Sequence, residues 1–194
     1  MVERSEERAK REAVADRVEF RVADAQDLPF DDGLFDIVIT ESVTSFPEDK
    51  QRAVNEYVRV TRSGGYVGLA ESTWLKMPPP PDLIAWVSQD VGACVQPLTA
   101  DNWEGLLENA GLQDITTQIH PVDAKQEARL LFKRYGYGVM LGNMLRALRL
   151  YLRNPAYRDF VKSVNQGGIV PDNLTEYFGY GMYVGRKRKE ITDD

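Results

Sequence analysis

Residues 17–46, RVEFRVADAQDLPFDDGLFDIVITESVTSF, hold two strand-like runs joined by a loop carrying acids, a proline and a glycine. Val18 to Val22 alternates apolar and polar residues and stops at Asp24, the pattern of a half-buried strand. Phe35 to Thr40 is almost continuously apolar, as expected of a strand covered on both faces of a parallel sheet. Polar groups follow each run, at Asp24 and at Thr40, Glu41 and Ser42. Ligands of open α/β sheets bind at the carboxyl ends of strands, so one stretch predicts two strand ends, each tipped with polar groups.

Working outward, Val2 to Asp16 is rich in Glu, Arg, Lys and Ala and predicts a helix with a narrow buried stripe. A helix leading straight into a parallel strand is the second half of a βαβ unit. Downstream, a helix is predicted over 50–61, with Ala53, Val54, Tyr57, Val58 and Val60 inward and Ser63-Gly64-Gly65 as its stop. Tyr66 to Ala70 reads as a strand ending in Glu71, Ser72 and Thr73. Pro78 to Pro81 reads as a rigid bend outside any helix, in preference to a ligand for a proline-reading domain. Thr99 caps a helix running to Ala110 that Gly111 ends, with Trp103, Leu106 and Leu107 inward. Leu112 to Val122 and Tyr177 to Arg188 read as further strands. Between them, Leu130 to Val164 is helical, rich in Leu, Tyr, Met and Arg, and broken at Gly136, Gly138 and Pro155.

Composition narrows the function classes. The 194 residues fit one domain, or a domain with an appendage. A formal net charge of −6 argues against a general nucleic-acid binder. No apolar run reaches the length of a membrane span, and the single cysteine, Cys94, excludes an internal disulfide and suits a reducing cytoplasm. One histidine, His120, and one cysteine make no metal constellation. Gly136-Tyr137-Gly138 follows no strand and Gly179-Tyr180-Gly181 precedes no helix, so both glycine patterns read as packing or kink positions.

ADAQDLPF (23–30), FDIVIT (35–40), the helix ending VRVTRSGG (58–65) and the strand YVGLAES (66–72) together resemble the class I S-adenosylmethionine (SAM) methyltransferases. Within these, the likeness is to the small-molecule group that includes quinone-pathway and sterol C-methyltransferases, over roughly residues 17–122. The resemblance implies a Rossmann-like doubly wound α/β sheet with SAM as cofactor. It implies that Asp24 accepts a hydrogen bond from the adenine amino group, that the Ala25 N–H bonds a ring nitrogen, and that Thr40 and Glu41 lie beside the methionine part. The residues by themselves allow other roles: Asp24 can start a turn, and Glu41 can cap the following helix.

The family's glycine-rich first turn and its ribose-binding acid have no counterpart in this sequence. The expectation is therefore a sheet lacking its first two strands, whether through a late start codon, fragmentation or a natural half-protein. The open edge would close by self-association or by pairing Phe35–Thr40 with Val18–Val22. The expected organisation is a partial core (1–122), a helical lid inserted before the last strand (123–166), that strand (167–188) and a tail (189–194).

Methyl transfer from a sulfonium needs alignment and dryness rather than a metal. The lid, with Trp74, Tyr135, Met140 and Met144 as candidate contacts, suits a small apolar or aromatic substrate. Its basic residues, among them Arg129, Lys133, Arg134, Arg146, Arg149 and Arg153, read as a solvated face, with an acidic substrate or an anionic lipid surface as the other reading. His120, at a strand end, is either a general base or a structural histidine. The lone cysteine argues against the arsenic-methylating branch. A non-catalytic remnant that binds another polypeptide through the open edge is the rival to the enzyme reading.

Overall fold

A computed structural model describes residues 2–90, 95–122, 124–167 and 173–189. Cys94 and the residues from 190 onward fall outside them. Helix α1 (Val2–Arg11) is followed by β1 (Phe35–Glu41), α2 (Lys50–Val60), β2 (Thr61–Trp74), α3 (Pro81–Asp90) and β3 (Leu98–Thr99). Then come α4 (Ala100–Asn109), β4 (Leu112–Pro121), α5 (Ala124–Arg153), α6 (Pro155–Gly167), α7 (Leu174–Tyr177) and β5 (Phe178–Lys187). The sheet runs β1-β2-β5-β4, with β3 beside the end of β2. β1 and β2 are parallel, and β5 is antiparallel to both of its neighbours.

One face carries the core. Alternation along β2 turns Val67, Leu69, Glu71 and Thr73 inward. They meet Ala53, Val54 and Tyr57 of α2, Trp103 and Leu107 of α4, and Tyr183 of β5. Trp103 is fully buried and its indole N–H donates to the Ser72 carbonyl at 3.1 Å, so the ring meets no uncompensated polar cost. Tyr183 is equally buried, and its hydroxyl pairs with Thr73 Oγ1 at 2.8 Å. Gly181 makes that possible: a Cβ there would stand 2.2 Å from the Tyr183 oxygen. The helices begin as their caps dictate, Asp49 accepting from Arg52 N and Thr99 from Asn102 N.

Several expectations need correction. Val18–Val22 forms no strand and does not pair with β1; Val18, Phe20 and Val22 are exposed, because no neighbouring strand offers hydrogen bonds to them. β1 is not covered on both faces, since Ile37 and Ile39 are 56% and 76% exposed. It stands at the sheet edge, and α2 covers one side only. Ser63-Gly64-Gly65 does not stop α2. Thr61 has already turned extended, and the glycines sit in an irregular start of β2, Gly64 at φ 72°. β2 runs on to Trp74, so Glu71, Ser72 and Thr73 lie inside it rather than beyond it. Pro81 does join a helix, as the first residue of α3, where a missing N–H costs nothing. Gly136, at φ 77° and ψ 156°, breaks α5 as expected, whereas Gly138 continues the helix.

Candidate functional site

The loop between Asp24 and Gly33 has little regular structure of its own, and α2 holds it. Arg59 reaches back with both terminal guanidinium nitrogens, donating to the Phe30 carbonyl (2.8 Å), Asp32 (2.6 Å), the Leu28 carbonyl (3.0 Å) and Glu56. Glu56 in turn accepts the Leu28 N–H at 2.8 Å. Arg52 donates to the Gln26 carbonyl at 2.9 Å, and the Gln26 side chain accepts the Asp49 N–H. The Arg59 carbonyl closes the loop by accepting from Gly33 N. Arg59 bonds hold the Glu56 carboxyl below the usual carboxylate range, against the opposing effect of burial. Residues 52, 56 and 59 fall on one helix face. That spacing was the available signal for this support, and only the helix's apolar side was read from the sequence.

Asp24 starts a turn, one of the two roles its position allowed. Its Oδ1 accepts from Gln26 N at 2.9 Å, and its carbonyl accepts from Asp27 N. The backbone bond from Gln26 is the main cause holding the carboxyl below its ordinary range. Ala25 is half-buried beside it.

The loop leaving β1 is fastened from the other side. Thr40 is buried, its hydroxyl 3.2 Å from that of Thr44, and Glu41 is exposed. Glu41 does not cap α2; Asp49 does. Glu71 is 1% exposed and accepts from Val43 N, Thr44 N, Ser45 N and the Ser45 hydroxyl at 2.7–3.2 Å. Lys50 anchors the following residues by donating to the Pro47 carbonyl at 2.9 Å. Burial lowers its ammonium pKa, and the Glu71 charge offsets part of that.

A groove of about 350 Å³ lies along the free edge of β1. Ala25, Leu28, Phe30, Val38, Thr40 and Val43 contribute to its walls, so the two loops and the strand end meet there. The lining is mainly apolar, and Thr40 and Tyr57 are among its few polar side chains.

His120 is not brought to this groove. It lies on β4, with β5 and β2 between it and β1. Its ring stacks on Tyr180 at 5.3 Å, and its Nε2 is buried without a hydrogen-bond partner. Trp74 packs edge-on against Phe178 at the end of β2. Tyr135 and Met144 are exposed and Met140 half-buried on α5, which packs mainly on α6 rather than on the sheet. Among the described residues there is no cluster of metal-binding side chains, and no helix is long and apolar enough to cross a membrane.

Comparison with known proteins points to methyltransferases. Residues 1–69 match a family model described as a methyltransferase domain. A 27-O-demethylrifamycin SV methyltransferase of Amycolatopsis mediterranei is 36% identical over 116 residues, 58% of this chain and 42% of the relative. An arsenite methyltransferase of Halobacterium salinarum is 28% identical over 146 residues, 75% of this chain and 36% of the relative. The chain thus matches less than half the length of these curated relatives. Two solved structures share the fold. A Haemonchus contortus phosphoethanolamine N-methyltransferase in complex with SAM has a TM-score of 0.65 at 16% identity, covering 94% of this chain and 40% of that one. A geranyl diphosphate C-methyltransferase from Streptomyces coelicolor has 0.63 at 16% identity, covering 96% and 58%.

Proposed function

We propose that this chain is a class I SAM-dependent methyltransferase, in line with its match to a methyltransferase-domain model and to methyltransferase relatives, and that it supplies the adenine and methionine side of a SAM site. The methyl acceptor in this reading is a small apolar or aromatic molecule. The observation that carries the reading is the groove beside β1, where the Asp24–Phe30 loop and the Thr40–Val43 end converge under separate fastenings.

The residues fit the cofactor's chemistry. With Asp24 Oδ1 committed to Gln26, Oδ2 is the acceptor for the exocyclic amine of adenine. A carboxyl held below its usual range stays ionised at neutral pH, which favours that bond. Ala25 offers a backbone N–H to a ring nitrogen, and Leu28 and Phe30 provide apolar contact. Thr40 and Glu41 present a carbonyl and a carboxylate toward the cationic methionine amine. When bound, SAM would supply an electrophilic methyl group on a sulfonium. The chain's part is to orient and to exclude water. We assign no proton transfer to His120, which stands on β4 with β5 and β2 between it and β1. Substrate contacts fall to Trp74 and to a lid over 123–166 carrying Tyr135, Met140 and Met144.

Calorimetry with S-adenosylhomocysteine tests the reading. Binding is expected, weakened at least tenfold by Asp24→Asn. A folded sample that binds neither S-adenosylhomocysteine nor SAM overturns it.

A second reading rests on a separate observation: β1 is hydrogen-bonded on one side only, and Ile37, Ile39, Tyr66, Met182 and Val184 form an exposed apolar face. This reading is self-association through the β1 edge. A two-fold antiparallel pairing centred on Val38 sets Ile37 against the partner's Ile39 and places Asp36 opposite a threonine rather than another acid. Light scattering is expected to give a dimer that Ile39→Lys dissociates; a monomeric wild-type chain at high micromolar concentration refutes it.

A further inference from the structure

Glu71 is an acid only 1% exposed, near the C-terminal end of β2, and no step of the proposed reaction uses it. An ionised carboxylate in such a place is costly unless every lone pair is satisfied. Here each oxygen accepts two donors. Oε1 takes the N–H groups of Val43 (3.1 Å) and Thr44 (2.7 Å), and Oε2 takes the N–H (3.2 Å) and hydroxyl (2.8 Å) of Ser45. All four belong to the turn that follows Glu41. Ser42, at the head of that turn, holds φ 52°, a left-handed conformation that a non-glycine residue keeps only when its surroundings enforce it. Its N–H continues the β1–β2 ladder to the Ala70 carbonyl at 2.9 Å. Thr44, fixed by Glu71, in turn holds the Thr40 hydroxyl.

We infer that Glu71 is a positioning residue. By gathering the donors of Val43–Ser45, it keeps the Thr40–Glu41 end of β1 in the shape that receives the methionine part of the cofactor. The inference rests on the SAM-site reading above, yet makes a separable claim. Three consecutive residues, Val43 to Ser45, are held by one side chain on the neighbouring strand. Without it, cofactor binding must itself order the turn, at a cost to affinity.

Glu71→Gln is the test, because it keeps the shape and replaces one acceptor oxygen with an NH₂ that faces donors. Leu107→Val serves as a control that lowers stability from the far side of the core without touching the turn. Hydrogen exchange is expected to show loss of amide protection at 43–45 in Glu71→Gln with β2 protection kept. S-adenosylhomocysteine affinity is expected to fall at least tenfold in Glu71→Gln and less than twofold in Leu107→Val. Equal weakening in both variants, or unchanged protection at 43–45, overturns the inference. If the wild-type chain binds no S-adenosylhomocysteine, the SAM reading fails and the role in binding falls with it. Exchange at 43–45 then decides whether Glu71 orders the turn.

Discussion

Glu56→Gln probes the fastening of the Asp24–Gly33 loop, and its effect is expected to depend on pH in a specified way. Glu56 Oε1 accepts Arg59 Nε at 2.7 Å, and Oε2 accepts Leu28 N and the second Arg59 nitrogen, each at 2.8 Å. Hydrogen bonds to charged groups contribute about 1.5–3 kcal/mol each when well shielded. The Glu56 side chain is 17% exposed and that of Arg59 31% exposed, so solvent reduces the gain. A glutamine can still accept from Leu28 N, but its NH₂ then faces the guanidinium. The net loss at pH 7 is about 1.5 kcal/mol, or roughly 3–6 °C in melting temperature for a chain of this size.

The sign of the pH effect follows from the depressed carboxyl. A group whose pKa is lowered in the folded state stabilises above its unfolded value of 4.5, and that contribution is lost as pH falls through the lower folded value. Urea unfolding of both proteins at steps from pH 7 to pH 3 should show the gap between them constant down to about pH 5 and closing below it. A gap that stays constant to pH 3, or one under about 0.5 kcal/mol at pH 7, refutes the account of the loop as charge-fastened.

Other expected outcomes concern the core and its caps. Gly181→Ala drives a methyl group into the Tyr183 hydroxyl and should cost about 1–3 kcal/mol in chemical denaturation. Leu107→Ala, at a fully buried position under the sheet, should cost about 2–5 kcal/mol. Thr99→Ala removes the acceptor for Asn102 N at the start of α4 and should cost about 1 kcal/mol, visible as a lower urea midpoint with an unchanged slope.

The elements that could be read in advance were those whose signals are local. The inward stripe of α2 and the Thr99 cap lie within single windows of sequence and stand where the periodicity places them. The errors came from partners distant in the chain. Val18–Val22 alternates like a strand but has no neighbour to bond, and alternation alone does not supply one. Glu71 looked like a strand tip because polar residues commonly end strands. Its burial depends on donors 26 to 28 residues earlier in the chain, and no spacing rule foretells them. The exposed side of Ile37 and Ile39 was hidden for the same reason. An apolar run reports that a face wants covering, not that something covers it.

Helix α2 has a mechanical consequence. Arg59 grips the loop before β1, and Lys50 grips the residues after it. These two handles lie nine positions apart on one rigid cylinder, ~13.5 Å along its axis at 1.5 Å per residue. The separation between the loop before β1 and the residues after it is thus set by a count of helical residues, much as a ruler sets a gap. A residue inserted between Asn55 and Glu56 would lengthen that ruler by only ~1.5 Å but swing one handle about 100° around the axis relative to the other. Evolution can therefore vary the side chains on this helix more easily than it can vary its length.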